Sequence, residues 1–528
     1  MINHPDLPKQ KELGEDTIFP DFDLACLNLS LEEIRQEAAE LAEPNNPTVQ
    51  QIFKQLLEQL SPVNFQEEAF PEAKDIRQKL ATLPDDSTEA EELKAELKRL
   101  KVTEKVKHIV TIEQVTKAAE KNNWGLCKNL AFVYLYNGTY WVNLEPDLLK
   151  HFLGEAAEKI GYGKEARHYL DKRNLYEQFL SANFLPTPER PKDVVQINLK
   201  NGTFEVTPEG RRLKPHSPND FLTYVLPFGY DQEATCPIFE KFLNRVLPDQ
   251  ERQQLLAEFF AYVFLRTSTL RLEKVLILHG TGANGKSVVF EVARALFGEE
   301  NVCSYSLKSL TDNSGYYRAN LQNKLLNYAS EIDKGINPDI LKKLASGEPC
   351  EAQIKYKDPF EITDYAKLFF NANELPKDVE HTEAFFRRLV IISFDVTIPE
   401  EEQDKELSKK IIESELPGVL NWVLKGLDRL LQNKKFSECD AVKKKLDAYK
   451  RDSNSVLLFM EEAGYSASKT ASLPLTDVYT EYRSFCMDGG FVPMNRSNFK
   501  KQLTNMGILI EEKAARKLFA YLQKDDLH

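Results

Sequence analysis

Eight consecutive residues carry the strongest chemical signal in this chain: Gly280, Thr281, Gly282, Ala283, Asn284, Gly285, Lys286 and Ser287 spell Gly-x-x-x-x-Gly-Lys-Ser. In such a loop the glycines let backbone N–H groups curl around phosphate oxygens, the lysine neutralises the β- and γ-oxygens, and the serine hydroxyl is a Mg2+ ligand. The apolar, β-rich run Val275 to Leu278 precedes it, and Val288 to Phe297 follows with helical spacing. Strand, glycine loop and helix in that order are the setting this chemistry needs, so a glycine-rich turn without function is a poor competitor. The residues read as a nucleotide cradle.

Hydrolysis also needs a carboxylate and a group that senses the terminal phosphate. Lys324 to Ala329 reads as a second buried strand that runs into Ser330-Glu331-Ile332-Asp333. Acids at the C-terminal end of a strand in an open α/β sheet face the ligand crevice, which makes Glu331 and Asp333 candidates for holding the metal and the attacking water. Lys367 to Phe370 is a third strand, ending in Asn371-Ala372-Asn373, which offers an amide that can orient water or sense the γ-phosphate. An asparagine at a strand end is usually a turn residue; the order of the three segments favours the functional reading.

The elements that must hold these residues follow from length and pattern. With 528 residues, 42% hydrophobic and 29% charged, the chain is too long for one core and reads as a multidomain α/β protein. The net charge of −13 is uneven: residues 1–100 hold 10 basic and 22 acidic side chains, and the remainder is nearly balanced. Local basic patches outside the N-terminal segment can therefore still meet nucleic acid. No apolar run is long enough to span a membrane, no secretory signal is visible at the start, and the seven cysteines show no metal spacing, so a cytoplasmic protein is expected.

Residues 1–105 read as an acidic, mainly helical segment, with Leu31 to Leu41, Val49 to Leu60 and Glu89 to Leu100 at helical spacing. Asp21 and Asp23 could be the metal-binding pair of a primase, but the segment is too short and too helical to build a palm around them. Residues 106–245 are mixed, with hairpin signals at Asn137-Gly138 and Asn201-Gly202, and aromatics that read as sheet core. The nucleotide-binding core spans 246–435, and a helical linker with a small last domain fills 436–528.

These segments together resemble the superfamily 3 helicases, in particular the helicase region of the phage, plasmid and poxvirus primase-helicases. The resemblance covers about residues 105–510 and rests further on Asn284, Leu341 to Glu348, Tyr356-Lys357-Asp358-Pro359-Phe360, Asn373-Glu374-Leu375-Pro376 and Phe386-Arg387-Arg388 to Phe394. It implies an AAA+ type P-loop core that forms a hexameric ring with ATP and Mg2+ between subunits. It also implies Arg388, with Arg387 as the alternative, as a finger reaching the neighbour's γ-phosphate, and Tyr356 and Lys357 on a hairpin that grips a DNA strand. Ser330 stands where the family usually has a first carboxylate, which leaves open whether Asp333 assists Glu331. The expected primase domain is not visible, so a separate primase partner is expected.

The last domain, Leu475 to Phe485, Asn495 to Met506 and the short runs around Ile508 and Leu518, resembles a winged-helix domain. Arg496, Asn498, Lys500 and Lys501 would lie on or beside its recognition helix. The expected function is an ATP-dependent helicase or translocase on single-stranded and forked DNA, replicating a phage, plasmid or integrated element in a bacterial cytosol. Two other classes compete: an ATP-switched origin-binding or loading factor, and a defence NTPase that responds to foreign nucleic acid.

Overall fold

A computed structural model of the chain describes residues 47–524 apart from 187, 189, 190, 331, 333, 334, 377, 378, 514 and 515. The helix expected over Leu31 to Leu41, the Asp21 and Asp23 pair, Glu331 and Asp333 lie outside the described residues. The chain divides into two compact units, Met1–Tyr230 and Asp231–His528. Among the described residues, no helix is long and apolar enough to cross a membrane.

In the first unit the helix Val49–Gln59 starts at a capping box, in which the Thr48 hydroxyl accepts from the Gln51 N–H and the Gln51 side chain accepts from the Thr48 N–H. Its apolar residues Ile52, Phe53 and Leu56 recur on one face and are buried. They enter the same core as Val110, Val115, Phe152 and Phe179, and the Phe53 and Phe152 rings stack at 4.0 Å. The sequence boundary drawn at residue 105 therefore does not separate two cores.

Two antiparallel meanders complete this unit: β1 (Gly125–Asn129), β2 (Phe132–Tyr136) and β3 (Trp141–Asn143), then β4 (Val195–Leu199), β5 (Gly202–Thr207) and β6 (Gly210–Lys214). Between β2 and β3 the Asn137 side chain accepts from the Thr139 and Tyr140 N–H groups, which closes a loop longer than the two-residue turn its Asn-Gly pair suggests. In the second hairpin Leu199 pairs with Gly202, so the turn is Lys200–Asn201 and Gly202 already belongs to the strand. A Cβ on Gly202 would stand 2.7 Å from the Lys214 carbonyl oxygen, which is why a glycine sits there. Tyr134, Tyr136 and Trp141 pack with Phe221 in a buried aromatic cluster, as sheet core.

The second unit is built on a five-stranded parallel sheet of β7 (Val275–His279), β8 (Val302–Cys303), β9 (Leu326–Ala329), β12 (Lys367–Ala372) and β13 (Leu389–Ser393). Their order across the sheet is β13-β7-β12-β9-β8. β7 is flanked on both sides and its residues Val275 to Leu278 are buried, so it reads as a continuous apolar run rather than an alternating one. The hairpin of β10 (Cys350–Ala352) and β11 (Phe360–Ile362) leaves the sheet between β9 and β12. The helices Gln250–Tyr262 and Leu416–Asn433 pack closely, because a Cβ on Gly426 would lie 2.6 Å from the Ala257 backbone.

Beyond residue 454 a separate hydrophobic cluster forms around Phe459, Tyr482 and Phe499. The elements there are the helix Ser455–Glu462, β14 (Tyr465–Ala467), β15 (Leu473–Pro474), the helices Leu475–Asp488 and Arg496–Asn505, and the strands β16 (Ile510–Lys513), β17 (Lys517–Ala520) and β18 (Leu522–Lys524). The expected succession of two helices and a short hairpin is present.

Candidate functional site

The glycine loop sits where β7 ends and the helix Lys286–Phe297 begins. Gly282 and Gly285 have φ of 117° and 87°, a region that residues with a side chain rarely enter, and Ala283 between them is also left-handed. Gly280 is needed for another reason. A Cβ there would fall 2.1 Å from the Asn284 amide nitrogen and 2.7 Å from the Phe394 carbonyl oxygen. Asn284 uses that space to donate to the Phe394 carbonyl at 3.2 Å, which ties the loop to the end of β13.

Lys286 is 6% exposed and its ammonium donates to the Gly280 carbonyl at 2.6 Å and to Asn284 Oδ1 at 3.0 Å. Both acceptors are neutral, and among the described residues no carboxylate lies within ion-pair distance of it. Burial holds its pKa below the usual lysine range. A buried cation with only neutral acceptors is costly unless an anion joins it. Ser287, next in sequence, is exposed at the start of the helix.

An open cavity of about 1030 Å³ lies over this loop. Its lining includes Gly282 to Val288 from the loop, Ser330 at the end of β9, and Asn371 and Asn373 at the end of β12. The glycine loop, Ser330 at the end of β9 and the asparagines at the end of β12, separated by some 90 residues of sequence, thus line one cavity. Asn373 is exposed, whereas Asn371 is buried and its Oδ1 accepts from the Tyr328 hydroxyl at 2.7 Å.

The far side of the cavity had no signal in the sequence. It comes from the helix Pro237–Val246, through Ile238, Lys241, Phe242 and Arg245, and from residues 398–410, through Ile398, Leu407 and Lys410. Arg245 pairs with Glu402 and Lys410 with Asp404, each at 2.6 Å. A wide cavity, with the glycine loop and a buried lysine on one side and mixed apolar and charged side chains on the other, has room for a phosphate-bearing molecule with an organic part. The loop residues fit Mg2+ as well, since Ser287, a hydroxyl-bearing residue, is exposed and lines the cavity.

The arginine pair is placed differently from expectation. Arg388 is 8% exposed; its guanidinium donates to the Ser346 hydroxyl at 2.9 and 3.3 Å and to the Ala384 carbonyl, and pairs with Glu273 at 3.2 Å. Held inside its own chain by four contacts, it departs from the expected finger that reaches a neighbour. Arg387, one residue earlier, keeps 58% of its side chain exposed and meets only the edge of the same Glu273 carboxylate, at 3.5 Å.

Tyr356 and Lys357 stand at the tip of the β10–β11 hairpin. Tyr356 has φ of 65° and is fully exposed, and Lys355 and Lys357 beside it are exposed too. In the C-terminal cluster Lys501 is exposed and Lys500 half-buried on the helix Arg496–Asn505, while Arg496 donates to the Thr476 hydroxyl at 2.8 Å and so braces the two helices. Asn498 uses its N–H to complete the Asn495 cap.

Three families match along the chain: "D5 N terminal like" over residues 113–248, a family of unknown function, DUF5906, over 278–388, and "Poxvirus D5 protein-like" over 451–522. Two curated relatives carry the name helicase. One, from Acanthamoeba polyphaga mimivirus, is 24% identical over 247 residues, 44% of this chain and 25% of its own length. The other, from Invertebrate iridescent virus 3, is 24% identical over 365 residues, 61% of this chain and 38% of its own. The chain thus spans about a quarter to two-fifths of the length of these relatives. A solved structure of the NrS-1 C-terminal region superposes with a TM-score of 0.44 at 14% identity, over 77% of this chain and 97% of that one. D5-type families thus match the segments before and after the glycine-loop region, and these matches with the helicase-named relatives support a D5-like primase-helicase family.

Proposed function

We propose that this protein is an ATP-dependent DNA helicase or translocase, with an AAA+ type core that works as a hexameric ring. The observation that carries the reading is Lys286: a buried ammonium with neutral partners, at a helix start, facing a cavity into which Ser330, Asn371 and Asn373 also open. That arrangement suits the β- and γ-phosphates of a nucleoside triphosphate, and the helicase-named relatives favour DNA as the track.

In this reading the loop N–H groups and Lys286 hold the phosphates in line for attack by water. Ser287 and Glu331 would hold Mg2+, which when bound neutralises charge on the phosphate oxygens. Glu331 orients the attacking water and Asn373 contacts the γ-phosphate. Arg387, more exposed than Arg388, is the residue offered to the adjacent subunit, and Arg388 braces the segment that presents it. Tyr356 and Lys357 grip the strand by stacking and charge, and the C-terminal helix with Lys500 and Lys501 meets duplex phosphates in the manner of a winged helix.

The test is strand displacement on a forked duplex with ATP and Mg2+. Displacement that stops when ATP is withheld is the expected result. Turnover of ATP that never separates strands on any fork or single-stranded tail would replace the motor with a nucleotide-driven switch.

A further inference from the structure

We infer that Glu415 is a positioning residue of the nucleotide site: its buried carboxylate fixes the helix Pro237–Val246 as the outer wall of the cavity. The inference rests on reading that cavity as a nucleotide site. The helix begins with Pro237 and has Cys236 at its cap, with no side-chain capping bond of its own. Its first N–H groups must find acceptors elsewhere. They find them some 177 positions away, where Ile238 N–H donates to Glu415 Oε1 at 2.8 Å and Phe239 N–H to Oε2 at 2.9 Å. Glu415 is 4% exposed, so this double acceptance satisfies a group that would otherwise be costly to bury. A carboxylate at a helix N-terminus also meets the favourable end of the dipole.

Glu415 itself occupies the corner between the helices Leu407–Ser414 and Leu416–Asn433, with its N–H bonded to the Ile411 carbonyl at 2.8 Å. Leu407 and Lys410 on the first of these line the cavity together with Ile238 and Phe242. One side chain therefore joins two walls of the same cavity. The wall in turn supports the phosphate loop: a Cβ on Gly285 would stand 2.9 Å from the Phe242 ring and from Val246. Close approach of the helix Leu416–Asn433 to the segment just before Pro237 depends on Gly418, where a Cβ would meet the Thr235 carbonyl oxygen at 2.2 Å. Losing Glu415 would let the wall shift while leaving Lys286 and Ser287 chemically intact. Such a change weakens nucleotide binding more than it slows the bound complex.

The experiment is steady-state ATPase kinetics together with titration of a fluorescent ATP analogue, on full-length wild type, Glu415→Ala and Glu415→Gln, with Lys286→Ala as reference. Glu415→Ala should raise KM and the analogue Kd about tenfold, equivalent to about 1.4 kcal/mol, with kcat within about twofold of wild type. Glu415→Gln keeps an acceptor oxygen and should recover part of the loss. Unchanged KM and Kd in both variants, or a fall in kcat alone, would overturn the inference. Should the alanine variant fail to fold, wild-type affinity in Glu415→Gln does the same. Failure of the underlying reading looks different: wild type and Lys286→Ala would then be equally unable to bind the analogue.

Discussion

Two buried cations of the same core, Lys286 and Arg388, differ in what surrounds them. Arg388 has a carboxylate at 3.2 Å and a hydroxyl at 2.9 Å, and its charge is matched within the chain. Lys286 has a carbonyl and an amide oxygen and opens onto a cavity. A cation that has no counter-charge among the described residues would be stabilised by an anion from outside, whereas a compensated charge holds its own surroundings in place. On the proposed function, the comparison separates a residue that would receive a ligand from one that positions its neighbours.

The largest expected effect breaks the first half of the comparison. Lys286→Ala should reduce ATP turnover to background in folded protein, because the fixed positive charge on the transferred phosphoryl group is gone; a coupled ATPase assay checks it, and turnover near wild type removes the site. Next come the two arginines, whose roles should part. Arg387→Ala is expected to lower turnover by about 10³, with partial recovery in rings mixed with Lys286→Ala subunits. Arg388→Ala should instead cost stability, about 1–2 kcal/mol in chemical denaturation, since the buried Ser346 hydroxyl and the Ala384 carbonyl lose their donor. Recovery of turnover by mixing with Arg388→Ala but not with Arg387→Ala would reverse the assignment.

Smaller effects concern the DNA contacts. Lys357→Ala should keep DNA-independent ATPase and lose most strand displacement, because the hairpin tip lies on a loop remote in sequence from the phosphate cradle; unchanged displacement moves the grip to Lys355. The double variant Lys500→Ala, Lys501→Ala should lower the salt slope of duplex binding by about 1.8, at about 0.9 per phosphate contact, read by fluorescence anisotropy from low to moderate salt. An unchanged slope would make that domain a protein-docking module.

Much of this was legible in the sequence because it is local. Val275 to Phe297 carries strand, loop and helix in one stretch, and β9 and β12 announce themselves as apolar runs that end in polar residues. The order of C-terminal elements was equally readable, whereas the hairpin around Tyr356 came from the family resemblance. What the sequence withheld depends on distant residues. Nothing in Pro237 to Val246 tells that Phe242 will face Gly285, or that Glu415 will cap that helix. The adjacent arginines illustrate the same limit: the motif supplies two, and only the packing of Glu273 and Ser346 decides that Arg388 turns inward. The helix Val49–Gln59 looked like part of a loose acidic segment because its partners, Val110 and Phe152, lie beyond the assumed boundary.

The most direct measurement is equilibrium titration of a fluorescent ATP analogue with Mg2+ into wild type, Lys286→Ala and Arg388→Ala at matched concentrations. The account predicts that wild type binds, that Arg388→Ala, where folded, binds with the same affinity, and that Lys286→Ala loses at least about tenfold, equivalent to about 1.4 kcal/mol. Equal affinity for wild type and Lys286→Ala would contradict it, because the buried ammonium would then not be the group awaiting the phosphates.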